Sequence, residues 1–421
     1  NGYFDYDGSW ADTTLLRIGY NYGIPANQNP TNTLIRAFVG NKQFGLLPHL
    51  EIEHSNGTLT AGAEIRIHRS LHWGKIKSAE TLPNNFNYDY HFYEYNGEKD
   101  IASLYAHELY RLEKKVTVMN DIQFVYNRYG IANEKFVGTK FSVPYFFINP
   151  RIGINYNASE SSNMYSSLSY TSREPRLRNL YAAEDQWWSG ESPQFKIKNI
   201  VNGIPQFDFS QPLAHPEHLL NFELGTNYHT TETNLKINFY WMEFFDELVK
   251  SGQLDLFGQP ITGNAERTRH IGMEYDATQK LDDNFELSGN LSFSSNRLIH
   301  YSSYENGVGN KLDGNPIAGF PDVLGNVRFT FHDNNFSSSI SSKYVGSFYT
   351  DNYKDEDNKN DAFLVFNLDA LYTLRNISNT DIQFRFEVRN IFDKLYFMSG
   401  EGNAFFPAAE RNFLIGLTIN L

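Results

Sequence analysis

Ile382-Gln383-Phe384-Arg385-Phe386-Glu387-Val388-Arg389 places four apolar side chains on one face of an extended chain and four polar or charged ones on the other. Successive side chains of a strand point to opposite faces, so this run reads as a strand with one apolar and one wet surface. The same period of two recurs on either side of it. Downstream, Phe413, Ile415, Leu417, Ile419 and Leu421 alternate with Asn412, Leu414, Gly416, Thr418 and Asn420. Upstream, Val327, Phe329 and Phe331 oppose Asn326, Arg328, Thr330 and His332. Ile271, Met273, Tyr275 and Ala277 oppose His270, Gly272, Glu274 and Asp276, and Leu59 to Ile67 repeats the pattern against Thr60 to His68.

Soluble sandwiches also alternate, so length and connection decide between architectures. Many of these segments run about 11–16 residues, against about 5–6 for a soluble strand. Tight polar turns near Ser55-Asn56-Gly57, Ser161-Ser162-Asn163, Thr230-Thr231-Glu232, Asp282-Asp283-Asn284 and Asp333-Asn334-Asn335 alternate with long loops. The loops lie near Ser70–Asp100, Pro175–Pro216, Ser251–Asn264, Tyr301–Phe320, Thr350–Asp361 and Lys394–Arg411. Short turns on one side and long loops on the other are the grammar of an antiparallel transmembrane β-barrel. Aromatic clusters such as Phe239-Tyr240-Trp241 and Phe244-Phe245 suit a girdle at the headgroup level.

Composition agrees with an all-β membrane wall. The chain of 421 residues is 16 % aromatic, with 34 Phe and 27 Tyr, yet its mean hydropathy of -0.50 is that of a polar protein. A lipid-facing outside and a wet inside require both properties. A net charge of -13 excludes nucleic acid as partner, because no basic stripe is present to displace counterions. The absence of Cys excludes a disulfide scaffold and a thiolate metal site. Asn1-Gly2-Tyr3-Phe4 has no basic n-region or apolar h-region. No apolar run reaches the roughly 20 residues of a membrane-spanning helix, so any crossing is made by strands. The segments number about 17, and single-chain bacterial barrels have even counts with both ends in the periplasm. With Asn1 to Gly8 read as the remnant of a long loop, the odd count predicts that strands preceding this sequence are missing.

Ordered motifs in the second half carry a resemblance. Asn149-Pro150-Arg151-Ile152-Gly153-Ile154-Asn155-Tyr156 opens a strand, and Ser169 to Pro175 with Arg178-Asn179-Leu180-Tyr181 leads another into a large loop. Pro216-Glu217 with Asn221-Phe222-Glu223-Leu224-Gly225, Asn238 to Val249, and Arg267 to Glu274 follow in order. Arg389-Asn390-Ile391-Phe392-Asp393-Lys394-Leu395-Tyr396 precedes a closing strand at Arg411 to Leu421. Over about 270 residues this series resembles the barrel of TonB-dependent outer-membrane receptors. The resemblance implies one barrel portion over residues 1–421, about 17 of the family's ~22 strands, with no plug domain and no TonB box. It also implies a bacterial outer-membrane location and import of a scarce, bulky ligand, such as a ferric siderophore or other iron complex. The implied partners are outer-membrane lipid and lipopolysaccharide, the ligand, and a TonB complex engaged through a segment N-terminal to this sequence. A passive porin-like channel is the alternative, with an outer-membrane enzyme behind it.

Catalysis and cofactors are not expected. No Ser/His/Asp order and no phosphate loop stands out. Glu223 and Glu274 fall on polar strand faces, where barrels carry charge as a matter of course. His68 and His72 have a spacing that unites imidazoles on a helix and not along a strand. His215 and His218 read as a solvated strand entry, and Asp351 to Asp361 as a solvated charged loop tip. Ligand contact is expected instead from Arg176, Arg178, Tyr181, Trp187 and Trp188 on the Pro175–Pro216 loop. Cationic and aromatic side chains there suit an anionic, aromatic-rich chelate. Arg173, Arg385 and Arg389 are expected to line the wall or meet a plug.

Overall fold

The computed structural model describes residues 2–8, 33–79, 82, 84–135, 138–182, 193–254, 260–305, 308–377 and 380–420. They form one antiparallel meander. Its first strands are β1 (Gly2–Gly8), β2 (Thr33–Leu46), β3 (His49–His54), β4 (Gly57–Ser78), β5 (His91–Glu113), β6 (Val116–Ala132), β7 (Phe141–Asn157) and β8 (Ser162–Arg173). A short helix α1 (Leu177–Leu180) and a hairpin of β9 (Phe195–Val201) with β10 (Ile204–Pro212) follow outside the wall. The wall resumes with β11 (Glu217–His229), β12 (Thr233–Leu254), β13 (Pro260–Lys280) and β14 (Phe285–His300). A second outer hairpin, β15 (Ser302–Glu305) with β16 (Val308–Lys311), precedes β17 (Val323–His332) and β18 (Phe336–Val345). The short pair β19 (Phe348–Tyr349) and β20 (Lys359–Asn360) leads to β21 (Phe363–Ile377) and β22 (Thr380–Arg389). A last outer hairpin, β23 (Phe397–Glu401) with β24 (Ala404–Pro407), precedes β25 (Asn412–Asn420).

The sheet contains 17 strand segments, but β2 and β3 are one stave. Leu46 pairs with Ile65 and His49 with Gly62 of the same β4, so the register runs unbroken past Leu47-Pro48. Pro48 lacks an N–H, yet its carbonyl still accepts from Ala63 N at 3.0 Å. Sixteen staves result, each paired with its neighbours in chain order. The segment Gly2–Gly8, read from the sequence as part of a loop remnant, is therefore a strand of the wall. Gly2 pairs with Val39 and Gly8 with Thr33, so β1 runs outward from the short-turn side toward the long-loop edge. Among the described residues the stave count is even, so the odd count read from the sequence is not borne out. Among the described residues β1 pairs only with β2, and β25 only with β22.

The short turns fall where the sequence placed them. At two of them a carboxylate organises the reversal: Asp282 Oδ1 accepts from Asn284 N and Phe285 N at 2.8 Å, and Asp333 Oδ1 from Asn335 N and Phe336 N, also at 2.8 Å. The Asn335 and Phe336 amides hold the Asp333 carboxyl below the ordinary carboxylate range. On the other edge the staves outrun the reading from sequence. β4, β5, β12 and β13 span 22, 23, 22 and 21 residues, so the loop expected at Ser70–Asp100 shrinks to the segment between Ser78 and His91. The expected Pro175–Pro216 loop holds α1 and the β9–β10 hairpin.

Alternation sorts side chains onto two faces. Leu104, Phe124, Phe146, Leu168, Leu224, Met273, Phe293, Phe329, Ile340, Phe384 and Phe386 are exposed on the outward face, as lipid-facing residues are. The inward face carries Glu223, Glu274, Arg328, Lys343, Asp369, Arg385 and Arg389. Four inward glycines lie beneath the ring of their registered cross-strand tyrosine: Gly62 with Tyr105, Gly74 with Tyr93, Gly225 with Tyr165 and Gly272 with Tyr240. A Cβ at any of the four would collide with that ring, so glycine there lets the tyrosine lie flat along the wall.

Candidate functional site

The inward face between β13 and β22 is a polar wall with a charged ladder. Arg389 Nη2 lies 3.1 Å from Asp369 Oδ1 and also binds Glu387, which Arg385 binds from its other side. Arg328 Nη2 is 4.0 Å from Asp369. Asp276, Ser288, Asn290, Arg328, Lys343 and Arg389 line a cleft of about 400 Å³. Arg385 and Arg389 therefore stand on the wall, as expected from alternation. Glu223 accepts from Asn221 Nδ2 at 2.8 Å, and Glu274 faces Asn238 Nδ2 at 3.5 Å.

Above this wall, on the long-loop side, the connections form two packed blocks. In the first, the segment after β8 folds onto β5–β7. Lys99 Nζ donates to Tyr129 Oη at 2.7 Å and to Glu174 Oε1 at 3.0 Å, while Asn127 Nδ2 donates to Glu174 Oε2 at 2.8 Å. This polar clasp fixes the point where the chain leaves β8. Beyond it, Phe195 and Phe209 pack on Phe141 with ring centroids 4.9 and 5.6 Å away. Leu180 and Tyr181 are buried in the same aromatic cluster. Asn179 Nδ2 reaches Thr262 Oγ1 at 2.7 Å and ties α1 to β13.

The second block joins β12, β18–β21 and the β23–β24 hairpin. Glu401 is 2 % exposed; its Oε1 accepts from Gly252 N at 3.1 Å. Lys250 Nζ stands 2.9 Å from Oε2 as an ion pair, outside hydrogen-bonding geometry. Thr350 and Gly402 exchange backbone and side-chain bonds, and Asn352 bridges Lys250 O (2.7 Å) to Ala318 N (2.9 Å). Gly402 has φ 53, and a Cβ there would strike the Gly252 carbonyl. Asp351 and Asn352 are buried here. The reading of Asp351 to Asp361 as a solvated tip holds for Lys354 to Asp357, which are exposed, and fails at Asp351 and Asn352, where Tyr353 N and Asn358 Nδ2 serve the Asp351 carboxylate and Lys250 O and Ala318 N serve Asn352.

The residues expected to touch ligand divide. Arg176 is exposed at the start of α1, and Arg178 is half-buried within it. Tyr181 is 1 % exposed, its ring turned into the aromatic cluster, so it holds the loop rather than facing a ligand. Trp187 and Trp188 lie outside the described residues. Arg173 binds Glu217 at 2.8 Å. The histidines take structural roles: His72 stacks on Tyr95 at 4.6 Å, and His218 meets Ser172 Oγ at 2.8 Å. His270, not singled out in the sequence, is buried with Nδ1 2.7 Å from Asn296 Oδ1 and Nε2 3.2 Å from Glu247 Oε2. The Lys99–Glu174 and Gly252–Glu401 contacts were also invisible, since 75 and 149 residues separate their members.

Residues 1–391 match the family model described as TonB dependent receptor-like, beta-barrel. No curated protein matches the chain in sequence. Among solved structures, the chain is similar to the unliganded ferric citrate transporter FecA, at TM-score 0.68 and 16 % identity over 92 % of this chain and 55 % of that one. It is also similar to the copper transporter OprC (TM-score 0.67, 13 % identity, 91 % and 57 % covered). The siderophore receptor PiuA from Acinetobacter baumannii is a third such structure (TM-score 0.63, 14 % identity, 95 % and 59 % covered). These likenesses concern the fold, and the chain spans little more than half the length of each of those proteins.

Proposed function

Because the chain belongs to the TonB-dependent receptor β-barrel family of the bacterial outer membrane, we propose that it forms the wall of an importer for a bulky anionic iron chelate. The observation that carries this reading is electrostatic. The inward cleft gathers Arg328, Lys343 and Arg389 around neutral Ser288, Asn290 and Asn326, with Asp276 as its one lining carboxylate; counting Arg385, Asp369 and Glu387 beside it, four cations stand against three carboxylates, and Lys343 has no ion pair among the described residues. A surplus of positive charge at this point of the wall favours an anionic cargo in a chain whose net charge is -13. On this reading Arg176 and Arg178 meet the chelate at the outer mouth, and Trp187 and Trp188 add stacking surface. A plug domain and the segment that engages TonB are carried by sequence outside residues 1–421.

The passive-channel alternative asks the sheet to close on itself. Among the described residues β1 and β25 are not partners, and the family match is to receptors. The import reading is tested by uptake of a radiolabelled ferric chelate in cells that make the full-length protein. Arg328→Glu with Lys343→Glu is expected to lower uptake at least tenfold while the barrel still assembles. Uptake unchanged by that reversal, or equal in cells without TonB, would sink the proposal.

A further inference from the structure

Period two does not account for Glu247. Phe245 faces outward on β12, and alternation would send Glu247 the same way, yet its carboxylate meets Thr268 and His270 on the inward row of β13. Asp246 lies between them with φ 55, a left-handed conformation that few residues besides glycine adopt, and it turns the chain there. Asn264 Nδ2 holds that turn by donating to Asp246 O at 2.6 Å. The carboxylate is thereby brought into a buried group, in which His270 is 6 % exposed, Asn296 4 % and Thr268 0 %. Phe244 and Phe320 close on the imidazole edge-to-face, with ring centroids 5.3 and 5.2 Å away.

The hydrogen bonds around His270 leave both ring nitrogens facing acceptors. Nε2 stands 3.2 Å from Glu247 Oε2, which also accepts from Thr268 Oγ1. Nδ1 stands 2.7 Å from Asn296 Oδ1. The orientation of that amide follows from its other end. Ser294 Oγ donates its one proton to Pro321 O at 3.4 Å, so it accepts from Asn296 Nδ2 at 3.0 Å, and Oδ1 is left for the ring. A neutral imidazole donates from one nitrogen only. Two acceptors call for a proton on each, which an imidazolium beside a carboxylate supplies. Other charges are engaged elsewhere. Arg267 and Arg269 take Glu243, and Arg297 takes Asp322, on the outward side of the wall. Asp246 faces His215 at 3.7 Å, and Lys250 pairs with Glu401. Glu266 and Glu274 lie about 13 Å away along β13 in either direction.

We propose that His270 and Glu247 form a proton-dependent seat for the outer loops. The segment between β16 and β17 lies directly on this group: Ile317 N donates to Asn296 O at 3.2 Å, Ser294 N to Asp322 O at 2.8 Å, and Phe320 covers the ring. The segment passes the contact on, since Ala318 N donates to Asn352 Oδ1 at 2.9 Å and Gly319 N to Tyr349 O at 2.8 Å. While the ring is charged, both nitrogens donate and the segment is held. When the ring loses a proton, one nitrogen turns a lone pair toward an acceptor in a site closed to water, and residues 312–322 loosen from β13 and β14. The hold is therefore present at low pH and lost as pH rises. The seat is independent of the cargo, so a failed uptake test leaves it standing.

The test is amide hydrogen exchange of the purified full-length protein in micelles at about pH 5 and about pH 8, the range over which imidazole changes charge, corrected for the intrinsic pH dependence of exchange. Residues 312–322 are expected to lose protection at least tenfold at the higher pH, with residues 273–280 of β13 unchanged. Glu247→Gln, whose amide can donate to a neutral ring, is expected to keep protection at both pH values, and His270→Gln to remove the pH dependence. His300 stands 3.6 Å from Asp313 at the start of the same segment, and the dependence is expected to survive His300→Gln. Equal protection at the two pH values in the unaltered protein overturns the seat. So does a dependence that persists in His270→Gln with native strand content, or one abolished by His300→Gln.

Discussion

Phe386 stands on the outward row of β22 between Phe384 and Val388, its ring exposed and stacked near Phe413 at 6.5 Å. It lies about half-way along the ~9–11 residues that cross the hydrocarbon core. An arginine at this depth loses hydration and finds no partner, at a cost of about 2–4 kcal/mol. Phe386→Arg is therefore expected to lower the urea midpoint of the barrel in lipid vesicles, whereas Arg385→Gln on the adjacent inward position changes it little. A native midpoint for Phe386→Arg would mean that the two faces of β22 are exchanged. Facing was legible at this scale because one local period determines it. Burial was not: Tyr181 has the composition of a ligand-contacting residue, and only the fold of β9 and β10 above it shows that its ring is enclosed.

Among elements, β5, β6 and the exit from β8 are joined by Lys99, Asn127 and Glu174, three side chains with no motif in common. Pattern reading recovered the staves and the short turns, since these depend on neighbours two residues apart and on turn-forming Asp, Asn and Gly. It shortened the tall staves, because above the membrane belt β4 and β5 lose strict alternation and read as loop. It could not see the clasp, which depends on register between distant strands. The clasp holds the hairpin of β9 and β10 against the wall, and Glu174→Gln removes the charge that Lys99 pairs with while keeping a similar shape. Amide hydrogen exchange in residues 193–212 is expected to accelerate in that variant, with exchange in β12 and β13 unchanged. Equal protection in both proteins would show that aromatic packing of Phe141, Phe195 and Phe209 alone secures the hairpin.

Across the whole molecule, the outward rows define a slab. Its long-loop boundary is drawn independently by Arg69, Asp100 and Arg128 on β4–β6 and by Glu243, Arg269 and Arg297 on β12–β14. Counted from their short turns, both groups stand about 10–13 residues along their strands, which a single immersion depth explains. That depth places two tryptophans differently. Trp241 sits just within the boundary, exposed and beside Arg269. Trp73 lies on the same outward row as Arg69 but further from the short-turn edge, stacked on Phe38 at 5.2 Å. Variants retaining one or the other as the sole tryptophan, reconstituted with lipids brominated high on the acyl chain, are expected to differ. Trp241 emission should be quenched strongly and Trp73 emission hardly at all, because aromatic side chains at the interface meet the upper chain and those above it meet water. Equal quenching of the two would place the hydrocarbon boundary above Arg69, burying the Arg69, Glu98, Asp100 and Arg128 group in lipid. That arrangement is disfavoured by several kcal/mol of charge desolvation.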